Sequence, residues 1–201
     1  MIESYDCAGL PNKADNLMKK YGSPQMINDR EVSGFTRAAV KNLKTGSPDA
    51  AYTNYLNAYE IAPSNAIICR QISEICFTKL LPPRPLEAIE WNTKASKIMQ
   101  LNSGKKFIEA EFNSALIQEN IGRVNTAIKL YEEIVDYLNS EKRLQTNWLF
   151  KTYVYLGAAR EKKGHLKETL LNFQNAENYV TTPAERNSIS THITRMKQKL
   201  Q

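Results

Sequence analysis

Four segments of this 201-residue chain repeat one pattern of side-chain size, and this repeat restricts the possible folds more than any other feature. Each pattern has members at one position, four residues later and seven residues later. Residues at that spacing share one face of an α-helix, where small residues admit a partner helix and a large one fills the space between helices. The sets are Ala51, Tyr55 and Ala58; Ala88, Asn92 and Ala95; Ala127, Tyr131 and Ile134; and Thr169, Phe173 and Ala176.

The residues that end and begin helices divide the chain into ten predicted α-helices. Gly46 ends one helix before Ser47 and Pro48 begin the next. Thr182 and Glu185 form the pattern of a capping box. The expected helices are 12–21, 28–45, 48–61, 65–81, 85–101, 105–120, 123–139, 141–163, 166–180 and 183–200. Short turns predict antiparallel neighbours, either in a bundle or in stacked helix pairs, and the repeat favours the stack.

Residues 32–65 resemble one unit of the tetratricopeptide repeat family. They carry Phe35, Ala38 and Ala39 in the first helix, Gly46 at the turn, Ala51, Tyr55 and Ala58 in the second helix, and Pro63 after it. The segment 150–182 follows the pattern less closely, and the segments 66–104 and 105–140 are degenerate units. The resemblance covers about three quarters of the chain and implies an all-α, right-handed helix-turn-helix solenoid. A generic helical bundle remains the alternative.

The same pattern predicts three regions along the chain. Residues 1–27 are expected to be a polar N-terminal arm with a short helix, and residues 28–182 a repeat domain. Residues 183–201 are expected to form a capping helix, because the last repeat cannot bury its apolar face alone. Ile189, Ile193, Met196 and Leu200 supply one apolar face of that helix.

The resemblance implies that the first helices of the pairs line a concave groove that binds a peptide or an amphipathic helix of another protein. Helical phase predicts the lining residues Thr36, Val40, Leu43, Arg70, Glu74, Phe77, Phe112, Leu116, Glu119, Val154, Ala158 and Glu161. Phe77, Phe112 and Leu116 are expected to lie close together as an apolar centre. Such a groove holds its ligand mainly by side-chain burial. Alternatively, these residues contact the N-terminal arm or one another.

One group within the family holds the C-terminal carboxylate of heat-shock chaperones in a clamp of Lys, Asn and Arg residues. The matching positions here carry Thr36, Val40, Gln71, Glu109 and Asn113. The sequence departs from the clamp at every position, so this activity is not expected. The predicted function is a non-enzymatic adaptor or scaffold, with an assembly factor or chaperone as its specific form.

The net charge of +6 suggests a second function, the binding of nucleic acid through a basic end of the chain. Residues 156–201 contain eight basic and four acidic residues. The candidate contacts are Arg160, Lys162, Lys163, Lys167, Arg195, Lys197 and Lys199. Acidic residues are interspersed among them, and aromatic residues do not alternate with the basic ones. The pattern therefore favours a solvated helix face and a protein partner, with nucleic acid as the alternative.

Catalytic motifs are absent from the sequence: it has no HExxH, P-loop, GxSxG or dinucleotide-binding glycine pattern. His165 and His192 are expected to be exposed, and neither a cofactor nor a metal is expected. Trp91 and Trp148 stand among aliphatic residues at helical spacing, which favours packing over a binding surface.

The location of the protein is predicted to be cytoplasmic. The longest apolar runs, 66–69 and 153–159, are too short to span a membrane. The N-terminus lacks the basic and apolar regions of a signal peptide. Cys69 and Cys76 are expected to be reduced thiols facing the core. An exported or lipid-anchored form, with Cys7 near its start, is the alternative if a native leader has been removed.

Overall fold

The computed structural model describes residues 16, 17, 20, 22–141 and 145–201. Within these residues every regular element is an α-helix, which confirms the all-α prediction. The helices are α1 Pro24–Lys44, α2 Pro48–Ile61, α3 Ala66–Thr78, α4 Pro85–Ser103, α5 Ile108–Asn120, α6 Val124–Ser140, α7 Thr146–Lys162, α8 Leu166–Glu177 and α9 Pro183–Lys199. The predicted helix 12–21 lies mostly outside the described residues.

The chain divides into two compact units at the proline-rich break between Arg84 and Pro85. The predicted repeat domain 28–182 therefore contributes to both units. In the first unit α1 packs against α2, and α2 packs against α3. The core of this unit includes Ala39, Ala51, Tyr55, Ala58, Ile68, Cys69, Ile72, Ile75 and Cys76. Cys69 and Cys76 are both buried, as the sequence predicts.

The second unit packs its helices in chain order, from α4 against α5 to α8 against α9. Every member of the size repeat in this unit is buried: Ala88, Asn92, Ala95, Ala127, Tyr131, Ile134, Thr169, Phe173 and Ala176. The repeat therefore marks the positions where one helix packs on the next. Asn92 takes the place of an aromatic residue, and its buried amide has no hydrogen-bond partner among the residues that the structure describes.

Helix α1 begins at Pro24, four residues earlier than the sequence predicts. The Ser23 hydroxyl accepts a hydrogen bond from the Met26 backbone N–H at 3.2 Å, and Pro24 occupies the first turn. A capping side chain and an N-terminal proline both favour a helix start. The last four residues of the predicted arm 1–27 are thus helical.

Helix α9 begins at the predicted capping box. The Glu185 backbone N–H donates to the Thr182 hydroxyl at 3.2 Å, and the Thr182 backbone N–H donates to the Glu185 carboxylate at 3.0 Å. The buried face of α9 carries Ile189, Ile193 and Met196, which join the core of the second unit. Three of the four residues expected on the apolar face are thus buried, whereas Leu200 follows the last helical residue and is 39% exposed.

Helix α7 starts at Thr146, later than the predicted position 141, because Glu141 is the C-cap of α6 in an extended conformation. Gly157, in the middle of α7, lies directly against the Phe173 ring of α8. A Cβ atom built on this glycine would lie 2.7 Å from the ring carbon Cε1. The close packing of α7 on α8 therefore depends on the absence of a side chain at Gly157.

Candidate functional site

An aromatic cluster joins α5, α6 and α7 in the second unit. The Phe112 ring lies 5.1 Å from Tyr155, 5.4 Å from Tyr131 and 5.6 Å from Trp148, measured between ring centroids. The Tyr155 pair is edge-to-face, an arrangement that adds stability beyond area burial. Phe112 and Tyr131 are fully buried, whereas Trp148 and Tyr155 are partly exposed. The cluster thus reaches from the core to the surface.

Phe112 is only 1% exposed, so the prediction that its side chain lines a surface groove is wrong. Rings from α6 and α7 cover it, and a single helix cannot reveal these neighbours by its own periodicity. Leu116, one turn later on α5, is partly exposed as the groove prediction requires. We use the name α5–α7 face for the surface that lies over the buried side chains of Phe112 and Glu119. It consists of Leu116, Trp148, Lys151, Tyr155 and Lys162.

Lys151 occupies the first half of α7 and lies over two rings of the aromatic cluster. Its ammonium nitrogen is 4.5 Å from the Phe112 ring centroid and 5.0 Å from the Trp148 ring centroid. These are cation–π distances. No carboxylate from the described residues pairs with this ammonium, and the side chain stays partly exposed. Lys151 is therefore a cation held in place by apolar surface.

Glu119 occupies the other end of the α5–α7 face, and its side chain is only 7% exposed. The Lys162 ammonium of α7 donates to one carboxylate oxygen at 2.6 Å. The Tyr131 hydroxyl of α6 donates to the other at 3.4 Å. Burial raises the pKa of Tyr131, and the Glu119 charge and hydrogen bond raise it further. Glu119 thus connects α5 to α6 and to α7.

Three consecutive residues at the end of α7 pair with three different helices. Arg160 pairs with Glu132 on α6, and Lys162 pairs with Glu119 on α5. Glu161 accepts from Arg195 at 2.6 Å and from Lys199 at 2.7 Å, both on α9. Successive helical residues point about 100° apart, which lets one turn reach three neighbours.

Glu161 therefore points to α9 and is not placed on the α5–α7 face with Leu116. Burial works to raise the pKa of the Glu161 carboxyl, but hydrogen bonds and charges from Lys199 and Arg195 outweigh it and leave the pKa below its ordinary value. Val154 packs against the core of the second unit and Ala158 is partly exposed. Of the predicted α7 residues, Glu161 thus lies on another side of the helix, whereas the α7 residues that contact α5 are Lys151, Tyr155 and Lys162.

The predicted groove residues of the first unit divide between α1 and α3. On α3, Arg70 and Glu74 form an ion pair at 3.0 Å, and Phe77 is partly exposed on the same helix. On α1, Val40 is 42% exposed, while Thr36 and Leu43 are partly buried. Phe77 belongs to the first unit, and Phe112 and Leu116 belong to the second.

The predicted basic end is largely paired with acidic residues. Four of its seven cations form ion pairs with carboxylates: Arg160, Lys162, Arg195 and Lys199. Lys163, Lys167 and Lys197 are exposed. The net positive charge near the C-terminus thus takes part mainly in contacts between helices.

The two histidines differ in environment. His165 is exposed, as predicted, and precedes the first turn of α8. His192 is partly buried and stacks on the Phe173 ring at 4.9 Å, so the prediction that it is exposed is wrong. Burial lowers the pKa of His192, and the Arg195 charge lowers it further against the opposing effect of Glu161.

Neither metal-binding nor membrane-spanning features occur in the part of the chain that the structure describes. No group of three or more His, Cys, Asp and Glu side chains is placed there to hold a metal ion. None of the described helices combines the length and apolar character that crossing a membrane requires.

Solved structures with the same arrangement of helices reveal the fold type. No protein-family model and no curated protein sequence matches the chain. The structure titled "Crystal structure of MamA" has a TM-score of 0.60 at 15% identity, covering 89% of this chain and 94% of that one. PilF from Pseudomonas aeruginosa has a TM-score of 0.64 at 16% identity, covering 86% of this chain and 70% of that one. The chain has the tetratricopeptide-repeat fold.

A third solved structure with this fold is PilW, titled a "widely conserved type IV pilus biogenesis factor". Its TM-score is 0.58 at 13% identity, and the match covers 100% of this chain and 89% of that one. Within the tetratricopeptide-repeat fold, α5–α6 and α7–α8 form two repeat pairs of the second unit, followed by α9. The α5–α7 face therefore belongs to the first helices of successive repeats.

Two residues of this face, Lys151 and Tyr155, were not among those predicted from the sequence. Tyr155 follows Trp148 by seven residues, which places both on one face of α7. That spacing was the available signal for a face of α7 that includes Tyr155.

Proposed function

We propose that this protein is a non-enzymatic adaptor that binds a segment of a partner protein on the α5–α7 face. The observation that supports the proposal is the partly exposed set of Leu116, Trp148 and Tyr155 beside Lys151. Tyrosine and tryptophan residues are enriched at the centres of protein interfaces. Burying one such apolar side chain against a partner contributes about 1.5–3 kcal/mol.

The exposed part of the first unit is a second candidate surface for the same adaptor function. Phe77 is a partly exposed aromatic residue, and the Arg70–Glu74 ion pair lies on the same helix. Val40 on α1 adds an exposed aliphatic side chain. We include these residues in the proposed binding surface of the first unit.

A role in the assembly of a larger structure is the specific form of adaptor function that we propose. The support is the fold shared with PilW, which its title calls a pilus biogenesis factor. Repeat folds of this kind offer an extended surface for binding. The cytoplasmic location expected from the sequence remains part of the proposal, and burial of the Cys69 and Cys76 side chains is compatible with it.

Nucleic-acid binding has less support than protein binding. A basic surface attracts phosphates when its cations face solvent without acidic partners. In this protein Arg160, Lys162 and Arg195 each form an ion pair with a glutamate. These glutamates reduce the positive electrostatic field near the C-terminus, where the sequence predicts a basic surface.

Affinity capture from cells of the source organism tests the adaptor proposal. The variants Leu116→Asp and Tyr155→Asp each place a charge on the α5–α7 face, and Leu171→Asp is the matched control, because Leu171 is an exposed leucine on α8. We expect the first two variants to lose a partner that the wild type and the control retain. Phe112→Asp is unsuitable, since a charge at this buried position would unfold the unit.

The result that would overturn the proposal is a set of captured proteins identical for the wild type and both α5–α7 variants. The Phe77→Asp variant examines the first unit in the same experiment. Circular dichroism and thermal unfolding of each variant verify that the fold is retained. Repeating the capture after nuclease treatment separates a protein partner from a nucleic acid.

A further inference from the structure

The cations of α7 fall into two kinds according to what neutralises them. Arg160 and Lys162 each form an ion pair with a glutamate of a neighbouring helix. Lys151 lies over the Phe112 and Trp148 rings instead, at 4.5 and 5.0 Å. The part of the chain that the structure describes supplies no carboxylate for Lys151. Its charge is thus available to a partner.

The aromatic rings position the Lys151 ammonium without using its hydrogen-bonding capacity. A lysine ammonium has three N–H donors, and a ring face attracts the charge through its quadrupole. Two rings restrict the long side chain and thereby reduce the entropy lost when a ligand binds. A carboxylate approaching from solvent would meet a cation that is already oriented.

We propose that the α5–α7 face selects an acidic, partly apolar segment of the partner protein, with a carboxylate bound by Lys151. This inference rests on the proposed adaptor function and specifies the chemistry of its ligand. An aromatic or aliphatic side chain of the same segment packs on Leu116 and Tyr155. Tyr155 follows Lys151 by one helical turn, or about 6 Å, so acidic and apolar residues lie close together in the ligand.

The length of the face fits a short ligand. Lys151 and Lys162 are eleven residues apart on α7, which corresponds to about 16 Å along the helix axis. An extended peptide of about five residues spans that distance. The Lys162 side chain is 60% exposed although it pairs with Glu119, so it can attract a second acidic residue of the ligand.

Selection from a phage-displayed library of random 12-residue peptides on the full chain tests this inference. We expect the wild type to enrich peptides with Asp or Glu next to an aromatic or aliphatic residue. A synthetic copy of the most enriched peptide should bind Lys151→Gln about tenfold more weakly, the effect of losing one charge-assisted hydrogen bond. Lys197→Gln, which removes an exposed cation of α9, is the matched control and should bind like the wild type.

A second peptide verifies that Lys151 contacts the acidic residue itself. Replacing the peptide's Glu by Gln should weaken binding to the wild type and leave binding to Lys151→Gln nearly unchanged. Lys151→Arg should retain most of the affinity, because it keeps the charge over the rings. Thermal unfolding of Lys151→Gln establishes that the fold is intact.

The possible negative results separate the inference from the proposed function. Enriched peptides that depend on Leu116 and Tyr155 but carry no excess of acidic residues would overturn the inference alone. Equal binding to the wild type and Lys151→Gln would also overturn it alone. The absence of any peptide that depends on Leu116 or Tyr155 would count against both proposals.

Discussion

The two ends of α7 are attached to the same unit by different forces. Trp148, Lys151 and Tyr155, all within its first ten residues, contact aromatic rings. Arg160, Glu161 and Lys162 in the last turn form ion pairs with α6, α9 and α5. The first ten residues combine cation and apolar surface that a ligand can reach, whereas the last turn uses its charges to connect helices.

This difference shows that the number of lysines on a helix does not measure its capacity to bind. Lys151 and Lys162 share the α5–α7 face, but among the described residues only Lys162 has a carboxylate partner. An exposed ion pair between helices contributes about 0.2–1 kcal/mol, whereas a buried aromatic cluster contributes several times more. Stability and binding should therefore respond differently to substitutions at the two ends.

Substitution of Phe112, the α5 ring that contacts the aromatic residues of α7, should have the largest effect on stability. Phe112→Ala removes a buried ring and leaves a cavity, which typically lowers the free energy of unfolding by about 3–5 kcal/mol. Urea unfolding followed by circular dichroism measures this change. Tyr155→Ala is the control from the same cluster, and its smaller loss follows from partial exposure. Equal losses for the two variants would contradict the assignment of Phe112 to the core.

Substitution of Glu119, the buried carboxylate that pairs with the last turn of α7, should have the second-largest effect on stability. Glu119→Ala leaves the buried Tyr131 hydroxyl without its acceptor and removes the partner of Lys162. We expect a loss of about 1–3 kcal/mol in the free energy of unfolding, the cost of an unsatisfied buried polar group. Glu119→Gln keeps an acceptor for Tyr131 and should lose less. Equal stability of the wild type and Glu119→Ala would show that this connection contributes nothing.

The exposed ion pairs of Glu161 should contribute less to the free energy of unfolding than Phe112 or Glu119 does. Glu161→Gln weakens the contacts with Arg195 and Lys199, whose side chains are 45% and 47% exposed. The expected loss is about 0.2–1 kcal/mol per pair, decreasing as salt screens the charges. Comparison of urea midpoints at low and high salt measures it. A loss that does not depend on salt would indicate that packing, not charge, holds α9 to α7.

The smallest effect should be a pH dependence from His192. Its pKa is lower in the folded chain than its ordinary value of 6.5, so the unfolded chain binds the proton first as the pH falls. Stability should therefore be highest above the ordinary value and decline between about pH 7 and pH 5. Unfolding midpoints across this range should show a shallower decline in His192→Gln. If the slope of unfolding midpoint against pH is the same in His192→Gln as in the wild type, His192 is not the source of the pH dependence. His165→Gln is the matched control.

Glu161 affects stability in a more acidic window than His192. Its pKa is lowered from 4.5 by the ion pairs with α9, so its contribution is present above pH 4.5 and is lost as the pH falls below that value. The two groups therefore titrate in separable ranges, although both lie at the contact between α7 and α9.

The helices and their core positions could be predicted from sequence because the signals are local. The Thr182–Glu185 capping box fixes the start of α9, and the spacing of Ala127, Tyr131 and Ile134 identifies the buried face of α6. The start of α1 was missed at Ser23, whose capping bond follows the same rules. That error came from treating a polar segment as an arm.

The candidate site was harder to predict because it depends on contacts between helices. Phe112 lies at a phase suited to a groove, yet rings from two other helices bury it. A step of one residue along α7 rotates the side-chain direction by about 100°, which separates Glu161 from Lys162. The charge partners of Arg160 and Lys162 lie 28 and 43 residues away in the sequence, beyond any local pattern.

The same long separations bear on the speed of folding and unfolding. Contacts between residues close in sequence form early, because closing a short loop loses little chain entropy. The pairs Lys162–Glu119 and Arg195–Glu161 span 43 and 34 residues, so they close only after the intervening helices have packed. Interactions absent from the transition state slow unfolding without accelerating folding. We therefore expect the ion pairs in the last turn of α7 to slow the unfolding of the second unit more than they change its folding rate.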